Sequence, residues 1–358
     1  MSLGRVVRYG ALLLVPLSLA MSHFGAPPTW VFVASAVAIV PLADWIRRGT
    51  EALAASFGPA AGGLLNVTFG NAAELILALF VLASGKPAVV KATITGSIVG
   101  NSLLGLGLAI VVGSWGRDVQ RFKRERAGLL ASLFILSVIA LLVPALFDYT
   151  ERSLRGVPNA GALDERLSLG VAVVLILAYG ANLVYTLVSR RDVFAAGGEE
   201  MGKPAWSAWA AIGILVAATA AVALEAALVS GALESAAQRF GLTPFFVGVI
   251  VLPLIGNAAE FFAAIYFARQ NRMNLVMSIA VGSSIQIALL TAPVLVLVSW
   301  ALGDAMNLVF ANPLELIAIA GAAFTVNAIA QDGETTWFEG VLLLAVYALL
   351  GTAFFFVR

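Results

Sequence analysis

One pentapeptide occurs twice in this chain: Gly70-Asn71-Ala72-Ala73-Glu74 and, 186 positions later, Gly256-Asn257-Ala258-Ala259-Glu260. Each copy lies inside a long apolar run, so each sets one carboxylate at membrane depth beside a Gly-Asn pair. An ionisable side chain within a membrane span is costly and marks a functional site by default. Two of them in identical frames point to one site built by the halves of a duplicated chain.

Composition agrees with a membrane setting. Of 358 residues, 61% are hydrophobic and 11% charged, against about 25% charged in soluble domains. A soluble globular fold is excluded. The net charge of +1 gives no basic surface for nucleic acid. The absence of Cys removes disulfides, thiolate metal sites and Cys nucleophiles. His23 falls in a Gly/Pro-containing turn and reads as an interfacial loop residue.

A helix needs about 20 apolar residues to cross a bilayer. Eleven stretches approach that length: 9–24, 29–45, 60–84, 88–113, 126–147, 166–188, 205–230, 242–268, 273–299, 308–329 and 336–355. The first follows Arg5 and Arg8 like a signal peptide, but the next span begins at Thr29 and no small-residue cleavage site intervenes. It reads as a retained helix. Trp45 to Phe57 mixes Arg47, Arg48 and Glu51 with Leu53 and Phe57, and reads as a short amphipathic segment at the interface. Alternating the loops across the membrane puts fourteen Lys and Arg on the N-terminal side and seven on the other. The positive-inside rule then sets the N-terminus in the cytoplasm and the C-terminus on the opposite side. The most basic loop, Arg117 to Arg126, falls on the cytoplasmic side.

The duplication extends past the pentapeptide. Gly96-Ser97 and Gly282-Ser283 also stand 186 apart, each pair near the start of the span after its GNAAE span. Spans two to six and seven to eleven form two five-helix units. Five is odd, so the second unit enters from the opposite face. The expected fold is an all-α integral membrane protein of eleven transmembrane helices, one extra N-terminal helix plus two inverted-topology five-helix repeats. Its divisions are residues 1–26 for the extra helix, 27–189 and 205–358 for the repeats, and 190–204 for a cytoplasmic linker. Such an architecture binds its substrate near the midplane, where the repeats meet.

Each motif offers Gly, Asn and Glu on a stretch where the helix is expected to be interrupted. Gly70 and Gly256 tolerate non-helical angles, and Pro253 lacks a backbone donor. Glu74 and Glu260 share a helical face with Asn71 and Asn257, three residues earlier. Two carboxylates, amide oxygens and freed carbonyls make an all-oxygen site of the kind preferred by a hard cation such as Ca²⁺, which takes about 6–8 oxygens. Ser97 and Asn101 from one following span, and Ser283, Ser284 and Gln286 from the other, could complete the shell. Two buried carboxylates left ionised and unpartnered are costly, so the empty site takes up protons. One Ca²⁺ or two H⁺ neutralises the pair equally well, and a site that always holds one or the other belongs to an exchanger. The residues leave the ion itself open.

A packing role for GNAAE would pair each Glu with a basic residue, but the nearest, Lys86 and Arg269, sit at span ends. For the individual Ser and Gln residues a helix-joining role weighs evenly against ligation. Glu225 is a further buried acid, yet its counterpart 186 residues earlier is Ile39, so it is set aside as a primary ligand. Glu315 lies near the start of span ten. Asp332, Glu334 and Glu339 read as solvated charge in a cytoplasmic turn.

The sequence resembles the calcium/proton exchanger (cation/H⁺ antiporter) family of the calcium/cation antiporter superfamily. The resemblance is carried by Leu65-Asn66-Val67-Thr68-Phe69 running into the first GNAAE, by Leu252-Pro253-Leu254-Ile255 running into the second, and by Gly282-Ser283-Ser284-Ile285-Gln286-Ile287. Asp332-Gly333 with Trp337-Phe338-Glu339-Gly340 adds to it. It implies that Glu74 and Glu260 bind Ca²⁺ and exchange it for H⁺. It also implies that Ser283, Gln286 and Ser97 lie near the site, and that spans two and seven slide to switch access. Two departures stand out. Gly100 occupies a position where many members carry another Ser, and the linker holds only Glu199 and Glu200 in place of a longer acidic segment. The expectation is a non-enzymatic secondary transporter in the cell (inner) membrane, moving Ca²⁺ out of the cytoplasm as H⁺ enters. The alternatives are the same fold exchanging another cation (Na⁺/Ca²⁺, Mn²⁺/H⁺ or K⁺/H⁺) and a passive cation channel.

Overall fold

The computed structural model describes residues 10–57, 69–154, 160–189, 206–303, 305–310 and 312–357. The linker 190–204, the start of the third apolar stretch including Leu65 to Thr68, and Arg5 and Arg8 lie outside the described residues. A chain this apolar must satisfy its backbone polar groups internally, and helices do so within each segment. In order they are α1 (Leu14–His23), α2 (Pro28–Phe57), α3 (Ala72–Ala83), α4 (Pro87–Gly113), α5 (Arg124–Asp148), α6 (Ala160–Ser189), α7 (Ala208–Phe240), α8 (Pro244–Gly256), α9 (Ala258–Arg269), α10 (Met273–Leu302), α11 (Pro313–Asp332) and α12 (Trp337–Phe355). Among the described residues, eight helices are long and apolar enough to cross a bilayer. The bent pair α8–α9 adds a ninth span, and α1 and α3 are shorter apolar helices.

Contacts sort the chain into two compact units that each draw on both halves of the sequence. One comprises Met1–Thr93, Glu199–Ala259 and Phe355–Arg358, the other Ile94–Gly198 and Glu260–Phe354.

In the first unit α2 and α7 form a long packed pair. A Cβ at Gly49 would stand 2.9 Å from Leu215 Cγ, so glycine is what lets the two helices approach. Leu42, Ile46, Leu53, Ala73, Leu215 and Val222 share one apolar cluster. Trp45 stacks on Trp206 with ring centroids 5.6 Å apart. The expected interfacial segment Trp45 to Phe57 is not a separate element: α2 runs unbroken through it. The reason is local. Asp44 pairs with Arg47 at 2.8 Å and with Arg48 at 2.6 Å, and Arg47 also pairs with Glu51, all at helical i,i+3 or i,i+4 spacing.

In the second unit the basic loop after α4 is pinned. Two short strands, β1 (Gln120–Arg121) and β2 (Glu334–Thr335), pair antiparallel, and Phe122 N–H donates to the Gly333 carbonyl at 2.9 Å. Arg117 donates to the carbonyls of Gly113 and Arg269. Gly333 takes φ 72° to close the turn after α11. Gly107 and Gly340 allow α4 and α12 into close contact; a Cβ on Gly107 would lie 3.1 Å from the Gly340 carbonyl oxygen.

Four π-helical turns occur among the described residues: Gly100–Gly105 in α4, Tyr149–Leu154 after α5, Val247–Val251 in α8 and Ile287–Thr291 in α10. The first and last overlap when one is displaced by the 186-residue offset of the sequence repeat.

Candidate functional site

Both pentapeptides fold alike. The chain leaves helical geometry at Asn71 (φ −106°, ψ 23°) and at Asn257 (φ −98°, ψ 10°). A new helix starts at the next residue in each case, so Glu74 and Glu260 are each the third residue of a helix. The break takes in Gly70 and Asn71 in the first copy and Asn257 alone in the second. Gly256 remains the last residue of α8, and α8 and α9 meet at 53°. Asparagine suits this sparsely allowed region of backbone space because its amide can hold the adjoining turn. The backbone N–H of Asn257 donates to the Pro253 carbonyl at 2.9 Å and its Nδ2 donates to the same oxygen at 3.0 Å. The Pro253 carbonyl is thereby engaged by Asn257.

The Asn257 amide also donates to Glu74 Oε1 at 3.2 Å. With both amide hydrogens committed, what Asn257 can offer an ion is its carbonyl oxygen. Gly256 lies against the same acid: a Cβ there would be 3.6 Å from Glu74 Cγ. Glu74 is 4% exposed and Asn257 1%. Asn71 is also buried, and Gly70 lies beside it in the turn. First-turn placement has an electrostatic consequence. The opening N–H groups of a helix carry partial positive charge and favour an anion within that turn. Each motif thus sets a carboxylate in the first turn of a helix, against its opening N–H groups.

The second unit holds the other candidates. Glu260 opens α9, and the next residue, Phe261, lays its ring against the α4 π turn. A Cβ on Gly105 would fall 2.7 Å from Phe261 Cδ1, and one on Gly100 would be 3.7 Å from Phe261 Cζ. Gly100 therefore faces an aromatic ring. Ser97 and Asn101 are fully buried on α4, and Ser283, Ser284 and Gln286 are buried on α10. The Ser284 hydroxyl reaches the Ile98 carbonyl of α4 at 3.2 Å and the Ala280 carbonyl of its own helix at 3.0 Å, so it joins two helices. Ile98 and Ser284 are themselves 186 residues apart. The windows of α4 and α10 are 83% and 61% buried, against 22% for α6 and 17% for α12. The polar candidates thus sit on the two innermost spans. Glu74, Asn71, Gly70, Asn257 and Gly256 belong to the first unit, and Glu260, Ser97, Asn101, Ser283, Ser284 and Gln286 to the second.

Two buried acids outside the motifs have distinct settings. Glu315 closes a capping box at the start of α11: Asn312 caps the helix and its N–H donates to Glu315 Oε2, while Thr95 Oγ1 donates to Oε1 at 3.1 Å. The signal was present as Asn312-Pro313-Leu314-Glu315, a cap residue, a proline and an acid at capping-box spacing. Glu225 lies mid-helix in α7 and meets Ser18 of α1, 207 residues away in sequence. No local pattern announces that pairing.

Comparison with known proteins places these features in a family. The model of the sodium/calcium exchanger protein family matches residues 27–188 and again 210–356. A Ca²⁺/H⁺ antiporter of Synechocystis is 44% identical over 362 residues, covering 96% of both chains. The Ca²⁺/H⁺ antiporter ChaA of Bacillus subtilis is 41% identical over 346 residues, covering 95% of this chain and 96% of that one. The solved structure of native YfkE superposes with a TM-score of 0.84 at 36% identity, covering 98% of this chain and 100% of that one. Two matches to one family model, spanning both GNAAE helices of a multi-pass membrane chain, make the assignment: the chain belongs to the sodium/calcium exchanger protein family.

Proposed function

We propose that this protein is a secondary transporter that exchanges cytoplasmic Ca²⁺ for H⁺, with Glu74 and Glu260 binding the cation or protons in turn. The observation that carries the reading is the duplicated geometry. Two acids each open a helix at an asparagine break, in a chain whose relatives at 41–44% identity are named Ca²⁺/H⁺ antiporters. A carboxylate in the first turn of a helix sits against partially positive N–H groups and can serve a divalent cation as a ligand. When the cation leaves, two carboxylates remain, one buried and one half-buried, and protonation relieves them.

The neutral oxygens of Asn71, Asn257, Ser97, Asn101, Ser283, Ser284 and Gln286 supply further ligands, with Gly70 and Gly256 beside the acids. The chain crosses the membrane eleven times, as one extra helix (1–26) and two inverted five-helix repeats (27–189 and 205–358) joined by a cytoplasmic linker (190–204). The N-terminus faces the cytoplasm, and α2 and α7 move to expose the site to one side at a time. The two separate matches to the family model support the division into repeats.

Purified protein in liposomes tests the reading. An outward-directed Ca²⁺ flux should follow an imposed pH gradient, and Glu74→Gln and Glu260→Gln should each abolish it in protein that still purifies as a single species. Near-normal uptake in either variant would sink the assignment. The family also bears the name of a sodium-coupled exchanger, so an imposed Na⁺ gradient is the necessary comparison. Flux driven by Na⁺ and indifferent to pH would replace H⁺ as the counter-ion, and flux with no counter-ion would indicate a channel.

A further inference from the structure

Glu225 plays no part in that scheme, yet it is 0% exposed in the middle of α7. Its Oε1 lies 2.7 Å from Ser18 Oγ of α1, and Ser18 Oγ lies 2.8 Å from the Val15 carbonyl oxygen. Ser18 is likewise fully buried. A serine hydroxyl carries one hydrogen. If Glu225 were ionised, that hydrogen could serve either the carboxylate or the Val15 carbonyl, and the other oxygen pair would be left in contact without a proton. If Oε1 carries a hydrogen, both contacts are satisfied in series: Glu225 donates to Ser18, and Ser18 donates to Val15.

The surroundings point the same way. Ser35 of α2 faces the carboxyl, but neither its hydroxyl nor Glu225 Oε2 makes a hydrogen bond among the described residues. Charged groups on the packed elements are engaged elsewhere. On α1, His23 is exposed at the helix end. On α2, Asp44, Arg47, Arg48 and Glu51 pair with one another. On α3, Glu74 receives Asn257, Lys86 beyond that helix pairs with Glu234 of α7 at 3.7 Å, and α8 carries no charged residue. An ionised carboxylate buried without a counter-charge costs several kcal/mol in rough terms. A single carboxyl with two hydroxyls is also far short of the oxygen shell a hard divalent cation takes.

We propose that Glu225 is a third intramembrane proton site: its carboxyl is held neutral, and its proton latches the N-terminal helix α1 to α7 through Ser18 without being exchanged for the transported cation. The proton would be a fixed part of the fold, in contrast to those cycling on Glu74 and Glu260.

Infrared spectroscopy of the reconstituted protein with carbon-labelled glutamate reads this directly. In a Glu74→Gln/Glu260→Gln background at neutral pH, a protonated glutamate carbonyl band should be present and should disappear on adding Glu225→Gln. Ser18→Ala, which leaves Glu225 in place, should shift that band without removing it. Absence of the band, or loss of an ionised carboxylate band in its place, overturns the proposal, as does a band unmoved by Ser18→Ala. In the otherwise wild-type protein, Glu225→Gln keeps a donor to Ser18 and should leave cation exchange and its pH profile unchanged. Loss of exchange in that folded variant would show that the proton moves, and would overturn the latch without touching the assignment of Glu74 and Glu260.

Discussion

Gly105→Ala is a small change with a calculable effect close to Glu260. The added methyl would stand 2.7 Å from Phe261 Cδ1 and 3.0 Å from Cε1. Carbon atoms in contact prefer roughly 3.5–4.0 Å, so the ring edge must retreat by about 1 Å. Phe261 is 8% exposed and cannot swing into lipid or water. Overpacking of this kind costs about 1–3 kcal/mol. Phe261 follows Glu260 directly in the first turn of α9, so a displaced ring drags the carboxylate with it. If about 2 kcal/mol of the strain appears in the transport barrier, uptake falls roughly thirtyfold. The control is Phe261→Leu, which removes the ring edge. In that background Gly105→Ala should lose most of its effect, giving a coupling energy of about 0.5–3 kcal/mol. Denaturant unfolding in detergent and initial Ca²⁺ uptake in liposomes measure the two parts. Equal losses from Gly105→Ala with and without the Phe261 ring would refute the steric account.

Three further predictions rest on single contacts. Asn257→Leu removes the donor to Glu74 along with the bond closing α8; a hydrogen bond to a charged group is worth about 1.5–3 kcal/mol, so half-saturation of uptake should move to Ca²⁺ concentrations about 10–150-fold higher. Thr95→Val removes the donor to Glu315 Oε1, and Glu315→Ala removes that bond together with the capping box of α11; each should cost about 1–2 kcal/mol in unfolding, with the double variant costing less than the sum. Gly100→Ser should fold with little change in stability, because its Cβ finds Phe261 Cζ at an ordinary 3.7 Å; a large loss of stability would mean that the α4 turn is tighter than its contacts indicate.

Much of this was legible in the chain because it depends on periodicity and repetition. Long apolar stretches mark helices wherever they fall, and the 186-residue offset aligns Asn71 with Asn257 whatever their surroundings. The expected interruption is there in both copies, at Gly70-Asn71 in the first and at Asn257 alone in the second. A Cβ on Gly256 would make only ordinary contact with Glu74, and it is the Asn257 amide, bonding back to Pro253, that lets the chain turn. Trp45 to Phe57 looked interfacial because charge counts against burial. Its charges are spaced to pair along one helix, and that helix simply continues. The capping box at Asn312 and Glu315 could have been read and was overlooked. The Ser18–Glu225 contact could not, since nothing local relates residues from the first and seventh apolar stretches. The π turns were equally hidden, because helical hydrophobic periodicity is blurred by one extra residue only over a turn or two.

Those turns carry a consequence for how the chain tolerates changes in length. A π turn contains one residue more than a regular helix needs to cover the same rise. Deleting one position within Gly100–Gly105 would let α4 heal into continuous α-helix. Because the π turn covers about the same rise and rotation as the α-helical turn, one residue shorter, that would replace it, the healed helix would keep everything beyond the deletion nearly in place relative to Ser97. The surplus residue is absorbed locally, and the two ends of the span keep their angular phase with or without it. The same holds for the turn at Ile287–Thr291, which follows Ser283 and Ser284 in α10. Single-residue deletions there should therefore yield well-formed helices whose faces still match their neighbours, whereas the same deletion in a regular stretch of α4 or α10 would turn one end by about 100°.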